Sequence, residues 1–297
     1  MIARNYANKY FLENLSRHVF RIPAALSVIL LVGIFLFLFV TGIGAFNSIT
    51  LGEFFFGADW NPTSFHTPTW GIFSLMIGTL MISIFALIIS VPLGISIAIY
   101  LAEIASPKTR EILKPIIEMI ASIPSVVLGL LGLLFLAPLI ATIFNVSNGL
   151  NALTASILVA IAALPTVASI CEDALSGVTY RFREASLALG ATKWVTIKKV
   201  VLPAAKSGLI AAVMLGLGRV IGETMVVLMV AGNSRAFPNS FLDSVRPMTA
   251  NIAIEIKEVV IGSLHFKSLF AIGLTLFLMT FAINFLADLL IHKKSSL

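Results

Sequence analysis

The chain has 297 residues, of which 59% are hydrophobic and only 11% are charged, and its mean hydropathy is +1.03. A soluble domain carries about 25% charged residues, so this composition excludes a soluble globular protein and predicts an integral membrane protein. The formal net charge of +6 does not require a nucleic-acid partner, because membrane topology accounts for where the basic residues lie.

Six apolar segments are long enough to cross a bilayer, for which a helix needs about 20 residues. They are approximately Pro23–Phe46, Trp70–Leu101, Ile116–Phe144, Ala152–Ile170, Gly208–Ala231 and Leu269–Ile291. The second and third are longer than a crossing requires, which predicts tilt or continuation beyond the bilayer. The sequence therefore predicts an all-α integral membrane protein with six transmembrane helices.

Basic residues concentrate in alternate connections between these segments. One set comprises Arg4, Lys9, Arg17, Arg21, Lys108, Arg110, Lys114, Arg181, Arg183, Lys193, Lys198, Lys199, Lys206, Lys293 and Lys294. The opposite connections hold only Arg235, Arg246, Lys257 and Lys267. Because cytoplasmic loops carry the excess of lysine and arginine, we predict that both termini are cytoplasmic.

The connections suggest a simple domain organisation. We predict a basic cytoplasmic tail over residues 1–22 and one transmembrane domain over residues 23–297, with a large cytoplasmic loop over 172–207 and a long outer segment over 232–268. In that outer segment, Met248–Val260 has the apolar spacing of an amphipathic helix.

A cleaved signal peptide is the alternative for the first segment, with small residues over 41–45 near a cleavage site. The length of the apolar stretch and of the basic tail before it favours a retained helix. Cys171 is the only cysteine, so the chain forms no internal disulfide and no cysteine metal cluster.

The fifth segment contains two charges, Arg219 and Glu223, in the stretch LGLGRVIGETMVVLMVA. Each charge near the bilayer centre costs roughly 2.5–3.5 kcal/mol on insertion scales, so such charges usually have a partner and a function. Four residues apart on one helix, they would lie on the same face. One hypothesis makes Arg219 a transient ligand for an anion in transit, with Glu223 as its counter-ion and Thr224 as an added donor. The alternative is a salt bridge that fixes helix packing.

The cytoplasmic loop has the pattern of two short helices around a glycine. Tyr180–Leu189 favours a helix, Gly190 can end it in the left-handed conformation, and Thr192 can cap a second helix. Three apolar residues of the second helix share one face, and Pro203 ends the pattern; the three are Trp194, Ile197 and Val201. Such an element suits insertion into a groove of a cytoplasmic partner, or packing against its own bundle.

A specific pattern runs through this loop: Glu184-Ala185-Ser186, three residues, Gly190, nine residues, then Val200-x-Leu202-Pro203. It resembles the EAA loop of type I ABC importer permeases and departs from it mildly, at Ser186 and Val200. The resemblance implies that the loop is a coupling helix seated on an ATP-hydrolysing subunit. Glu184, Ala185, Ser186, Gly190 and Pro203 would then belong to the element that transmits ATP-driven motion.

A narrower resemblance covers most of the chain. The stretches over residues 78–105, 115–132, 215–233 and 248–256 resemble the PstC-type permease subunit of bacterial phosphate ABC importers. This resemblance implies a multi-pass protein of the bacterial inner membrane that pairs with a PstA-type permease. It also implies a PstB-type ATPase dimer, which would bind ATP and magnesium, and an extracytoplasmic phosphate-binding protein. No cofactor is expected in this chain itself.

Catalytic motifs are absent from the sequence: it has no Walker A pattern, no nucleophile elbow and no HExxH. We therefore expect a transport subunit without its own ATPase site. Two rivals stay open. One is a permease for another oxyanion, such as sulfate, molybdate or phosphonate, and the other is a passive channel or scaffold.

Overall fold

The computed structural model describes the backbone of residues 2–293 and the side chains of residues 19–286 and 289. The helices are, in chain order, α1 (Ile2–Ile43), α2 (Leu51–Phe56), α3 (Phe73–Ile99), α4 (Pro107–Ala121), α5 (Ser125–Leu131), α6 (Ala137–Phe144), α7 (Ala152–Ser176), α8 (Tyr180–Ala188), α9 (Lys193–Thr196), α10 (Leu202–Ala204), α11 (Lys206–Ile221), α12 (Met225–Val230), α13 (Met248–Glu255) and α14 (Leu264–Lys293). Two short strands, β1 (Trp60–Asn61) and β2 (Thr69–Trp70), form an antiparallel hairpin with Trp60 opposite Trp70.

Single turns of other helical types extend or join these elements. A 3-10 turn over Gly44–Asn47 follows α1, and π-helical turns over Tyr100–Ile104, Gly132–Leu136 and Ile197–Val201 follow α3, α5 and α9. Because the chain stays helical through these turns, α3 continues to Ile104, and α5 and α6 form one span over Ser125–Phe144.

Five helical stretches of the described chain are long and apolar enough to cross a membrane. They are Val19–Asn47, Phe73–Ile104, Ser125–Phe144, Ala152–Ser176 and Leu264–Leu286. A sixth is reached if Lys193–Ala204 and Lys206–Ile221, which meet at an angle of 70°, count as one broken span. The helical class is thus confirmed, and each of five predicted segments overlaps one of these stretches, with differences at the boundaries. The remaining one, Gly208–Ala231, overlaps only part of the broken span. Helix α1 also runs through the boundary predicted at residue 22 without a break.

The third predicted segment begins too early. Residues 107–121 form the separate helix α4, and the membrane-spanning stretch starts only at Ser125. The break falls at Ser122, where the side chain donates to the carbonyl of Met119 (2.7 Å), and at Pro124, which lacks an N–H for a helical hydrogen bond. Helix α4 buries none of its residues within this chain.

The fifth predicted segment is also interrupted. Helix α11 ends at Ile221 and α12 begins at Met225, so Gly222, Glu223 and Thr224 lie in a break between two helices. The threonine hydroxyl of Thr249, on α13, donates to the carbonyl of Glu223 (3.0 Å) and so satisfies one backbone acceptor that the break leaves free. The prediction of one continuous helix here is wrong.

Helix α7 is the centre of the bundle. In its most apolar stretch of 18 residues about 61% of the residues are buried, against 6% in the corresponding stretch of Val19–Asn47. Small residues let neighbouring helices approach it closely: a side chain at Gly94 of α3 would come within 2.8 Å of Val167, and one at Gly216 of α11 within 2.6 Å of the same residue. Close approach through small residues is how membrane helices gain packing energy without a hydrophobic driving force.

The close packing at Gly216 leads to a prediction about stability, for which Gly218 in the same helix is the control. Replacing glycine by alanine in a helix interior gains about 1 kcal/mol from propensity. Gly218→Ala meets open space, whereas the Cβ of Gly216→Ala would lie 2.6 Å from Cγ2 of Val167. We expect the melting temperature of the purified protein in detergent to hold or rise for Gly218→Ala and to fall for Gly216→Ala. Equal changes for the two variants would contradict the close α7–α11 contact.

Helices α1 and α14 pack together at the periphery. Phe37 and Phe270 meet edge to face at 5.2 Å between ring centroids, and Phe35 lies 5.3 Å from Phe277. Most of the other side chains of α1 between Val19 and Ile43 are apolar and exposed. An apolar surface of this extent suits lipid or a neighbouring membrane chain rather than water.

Candidate functional site

Arg219 lies on an exposed stripe of α11. Ala211, Leu215 and Arg219, spaced by four residues, are all exposed, whereas Ala212, Gly216 and Val220 are buried against the bundle. The guanidinium of Arg219 therefore points away from the packed body of this chain. A charge that faced lipid from a membrane-spanning helix would be costly, so the stripe is suited to face a second membrane protein or an aqueous pathway.

Glu223 is not the ion-pair partner of Arg219. Among the described side chains, no ion pair joins the two. The carboxylate of Glu223 instead accepts a hydrogen bond from the N–H of Val226 (3.2 Å), in the first turn of α12. Because the break separates the two residues, the predicted salt bridge within one helix is wrong, and Glu223 stabilises the start of α12. The hydroxyl of Thr224 donates to the carbonyl of Gly222 (3.2 Å).

The element over residues 180–204, which we predicted to be cytoplasmic, has the predicted helix–glycine–helix form. Gly190 has φ +83°, and the N–H groups of Gly190 and Ala191 donate to the carbonyls of Leu187 (2.9 Å) and Ser186 (3.2 Å). This pair of bonds is the Schellman ending of a helix, which needs a left-handed residue. The hydroxyl of Thr192 accepts from the N–H of Val195 (3.3 Å) and caps α9 as predicted.

The two halves of this element are held differently. Glu184, Ala185 and Gly190 are exposed, and Leu189 is 90% exposed. In the second half Ile197 and Val201 are buried, but Trp194 is 60% exposed, so the shared apolar face that we predicted is wrong. Trp194 therefore lies outside the contacts that bury Ile197 and Val201.

The hydroxyls of Ser186 and Thr196 are hydrogen-bonded (2.9 Å) and connect α8 to α9. Pro203 lies in α10, immediately before the 70° bend that leads into α11. The two halves thus form one folded unit, with α8 exposed and the second half packed on the bundle. Its free apolar surface is the kind that a partner groove binds.

A buried ion pair attaches α8 to the membrane-spanning helices. Nε and Nη2 of Arg183 donate to the carboxylate of Glu103 at 3.0 and 2.5 Å. The same guanidinium donates to the carbonyls of Val178 (2.5 Å) and Leu175 (2.9 Å) at the end of α7. The sequence reasoning missed this pair, because 80 residues separate the partners. The one sequence feature that pointed to a buried ion pair was Glu103, a single acidic residue at the end of a long apolar run.

A second buried carboxylate connects α4 to α7. Glu172 is fully buried and forms ion pairs with Arg110 and with Lys114 (2.6 Å), and Lys114 also reaches Asp173 (3.0 Å). Hydrogen bonds to Glu172 and Asp173 raise the pKa of Lys114 above its ordinary value, since they stabilise the ammonium form. Sequence patterns gave no sign of this cluster, which fixes α4 against the bundle.

A third carboxylate organises the predicted outer end. Glu255, in α13, accepts from the indole of Trp60 (2.9 Å) and from Arg246 (3.2 Å), and it lies 2.8 Å from Nε2 of His265 and 3.5 Å from Arg235. Burial, with the charge of Arg235, lowers the pKa of Arg246, and Glu255 opposes that shift.

The cluster around Glu255 corrects one prediction. Helix α13 ends at Glu255 rather than at Val260, and Glu255 is buried. His265 joins the same buried network from α14. The cluster ties the hairpin, the loop before α13, and α14 together.

Comparison with known proteins gives the family. The family described as "Binding-protein-dependent transport system inner membrane component" matches residues 90–295. A probable ABC transporter permease, YqgH of Bacillus subtilis, is 36% identical over 89% of this chain and 85% of its own length. The phosphate transport system permease protein PstC of Haemophilus influenzae is 33% identical over 98% of this chain and 96% of its own.

A solved structure has a similar fold. A crystal structure of a bacterial alginate ABC transporter, in complex with a periplasmic protein bound to an alginate pentasaccharide, contains a chain similar in fold to this one. The TM-score is 0.59 with 15% sequence identity, over 93% of this chain and 94% of that chain. The chain belongs to the family of inner membrane components of binding-protein-dependent transport systems.

Proposed function

We propose that this chain is a permease subunit of an ATP-driven importer that carries inorganic phosphate into the cytoplasm. One observation carries the choice of substrate: the similarity to a phosphate transport permease extends over 98% of the chain. The exposed Arg219 supports it, because a guanidinium offers paired donors that match phosphate oxygens. Arg219 would bind phosphate transiently at the break between α11 and α12, where Glu223 and Thr224 lie.

The remaining parts of the importer would come from other chains. A PstA-type permease would face the α11 stripe, and a phosphate-binding protein would deliver substrate from outside. A PstB-type ATPase dimer, binding ATP and magnesium, would seat the element over 180–204, whose exposed Leu189 and Trp194 are free for contact. This chain would hydrolyse no ATP itself. Its role is alternating access, with the pathway opening to one side at a time as the ATPase dimer opens and closes.

The substrate is tested with the complete assembly in lipid vesicles. ATP hydrolysis is measured with the binding protein present and with phosphate, sulfate, molybdate or a phosphonate as the only added anion. We expect stimulation by phosphate. Stimulation by sulfate but not by phosphate would assign another oxyanion, and a chain that copurifies with no ATPase subunit would favour a passive channel or scaffold.

The cytoplasmic placement of both termini has its own test. With Cys171, which is buried, replaced by serine, a single cysteine is introduced at Phe65 or at Lys108, both exposed. We expect an impermeant maleimide to label Phe65→Cys in intact spheroplasts and Lys108→Cys only after permeabilisation. The reverse pattern would show that the predicted orientation in the inner membrane is inverted.

A further inference from the structure

The first half of the cytoplasmic element has little to hold it to the membrane domain. Helix α8 buries none of its residues, whereas the second half is anchored by the buried side chains of Ile197 and Val201. Val201 packs in one cluster with Cys171 and Leu175 of α7. Apolar packing therefore fixes the second half and leaves α8 dependent on polar contacts.

Arg183 supplies the main polar attachment of α8. Its three guanidinium nitrogens all donate: Nε to Glu103 (3.0 Å), Nη1 to the carbonyl of Val178 (2.5 Å) and Nη2 to Glu103 (2.5 Å) and the carbonyl of Leu175 (2.9 Å). The side chains of Arg183 and Glu103 are only 13% and 7% exposed. One side chain thus connects α8 to the end of the α3 span and to the end of α7.

The chemistry of this contact favours arginine. The positive guanidinium lies at the carboxyl end of α7, where the helix dipole is negative, and the carboxylate of Glu103 neutralises it. A planar fork with five donors can hold a carboxylate and two carbonyls together, which a lysine ammonium cannot do in the same geometry. The next residue, Glu184, points outward and is free for a partner.

We propose that Arg183 and Glu103 are positioning residues that make α8 move as a rigid extension of α3 and α7. The inference rests on the proposed function, in which α8 receives motion from an ATPase subunit. Without the pair, α8 would still bind that subunit through its exposed side, but it would swing without moving the membrane-spanning helices. ATP hydrolysis would then continue while substrate transport falls.

The coupling test uses the complete transporter carrying Arg183→Gln, Glu103→Gln or both. We expect the ATPase subunit to copurify normally, and the amount of phosphate moved per ATP to fall at least about tenfold in each single variant. The double variant should lose no more than either single variant, since both break the same contact. Arg183→Lys should be intermediate. Arg181→Gln, in the same helix with an exposed side chain, is the matched control and should couple normally.

A second measurement separates this inference from the substrate assignment. Spin labels at Leu93→Cys on α3 and Phe182→Cys on α8, in the Cys171→Ser background, report the distance between the two helices. We expect a narrow distance distribution with Arg183 and a broad one with Arg183→Gln or Glu103→Gln. A narrow distribution in both variants, or unchanged transport per ATP, would overturn the inference. Failure of phosphate to stimulate the unaltered transporter would overturn only the proposed function, and the distance measurement would still decide the role of the pair.

Discussion

Replacing Arg219 by alanine should lower phosphate transport by at least about tenfold while leaving expression and membrane insertion normal. A hydrogen bond to a charged group contributes about 1.5–3 kcal/mol, and 1.4 kcal/mol corresponds to a factor of ten. Arg219→Lys keeps the charge but loses the paired donors, so its loss should be smaller. Uptake of labelled phosphate by vesicles containing the assembled complex is the measurement.

The control for this prediction lies one turn away. Leu215 belongs to the same exposed stripe, and Leu215→Ala removes apolar surface without removing charge. It should transport nearly normally. If Arg219 only fixed packing with a neighbouring permease, Arg219→Ala would reduce copurification of that permease rather than transport by assembled complexes. Normal uptake by both Arg219 variants would rule out a role in the pathway.

Replacing Gly190 by alanine should detach the ATPase subunit. The left-handed conformation at φ +83° costs a residue with a Cβ about 1–2 kcal/mol, although among the described residues nothing beyond the two chain neighbours lies within 4 Å of the added carbon. The strain would undo the Schellman ending and shift the exposed residues around it. We expect Gly190→Ala to lower the amount of ATPase subunit that copurifies with the permease, together with ATP-driven uptake.

Asparagine separates backbone conformation from the size of the side chain. It tolerates the left-handed region better than other residues with a Cβ, so Gly190→Asn should retain more ATPase subunit than Gly190→Ala, despite its larger side chain. Equal loss in both variants would mean that the glycine is needed for close approach of the partner, and not for its φ angle.

Local patterns in the chain predicted the features that depend on neighbours in sequence. The apolar runs predicted most of the membrane-spanning helices because a helix needs about 20 apolar residues to cross the hydrocarbon. Gly190 and Thr192 predicted the end of α8 and the start of α9, since a left-handed residue and a hydroxyl cap act within one turn. The EAA pattern identified the importer family, and the family match confirms it.

The breaks within apolar runs were beyond such patterns. The run through Arg219 and Glu223 is continuous in hydropathy, yet the helix stops at Ile221. The hydroxyl of Thr249, from a distant helix, satisfies a carbonyl at the break, and the carboxylate of Glu223 satisfies a free N–H of α12. A broken helix inside a membrane protein is stable only where other groups satisfy its free backbone atoms. The hydropathy of the run does not identify those groups.

Partner choice among buried charged and polar side chains was decided by tertiary structure alone. Arg183 and Glu103 lie 80 residues apart in the chain, and Trp60 and Glu255 lie 195 apart. The order of residues determined which stretches are helical and which carry the charges. Which charges meet depends on how those helices pack, because a buried ion is stable only beside a partner that the fold brings within hydrogen-bonding distance.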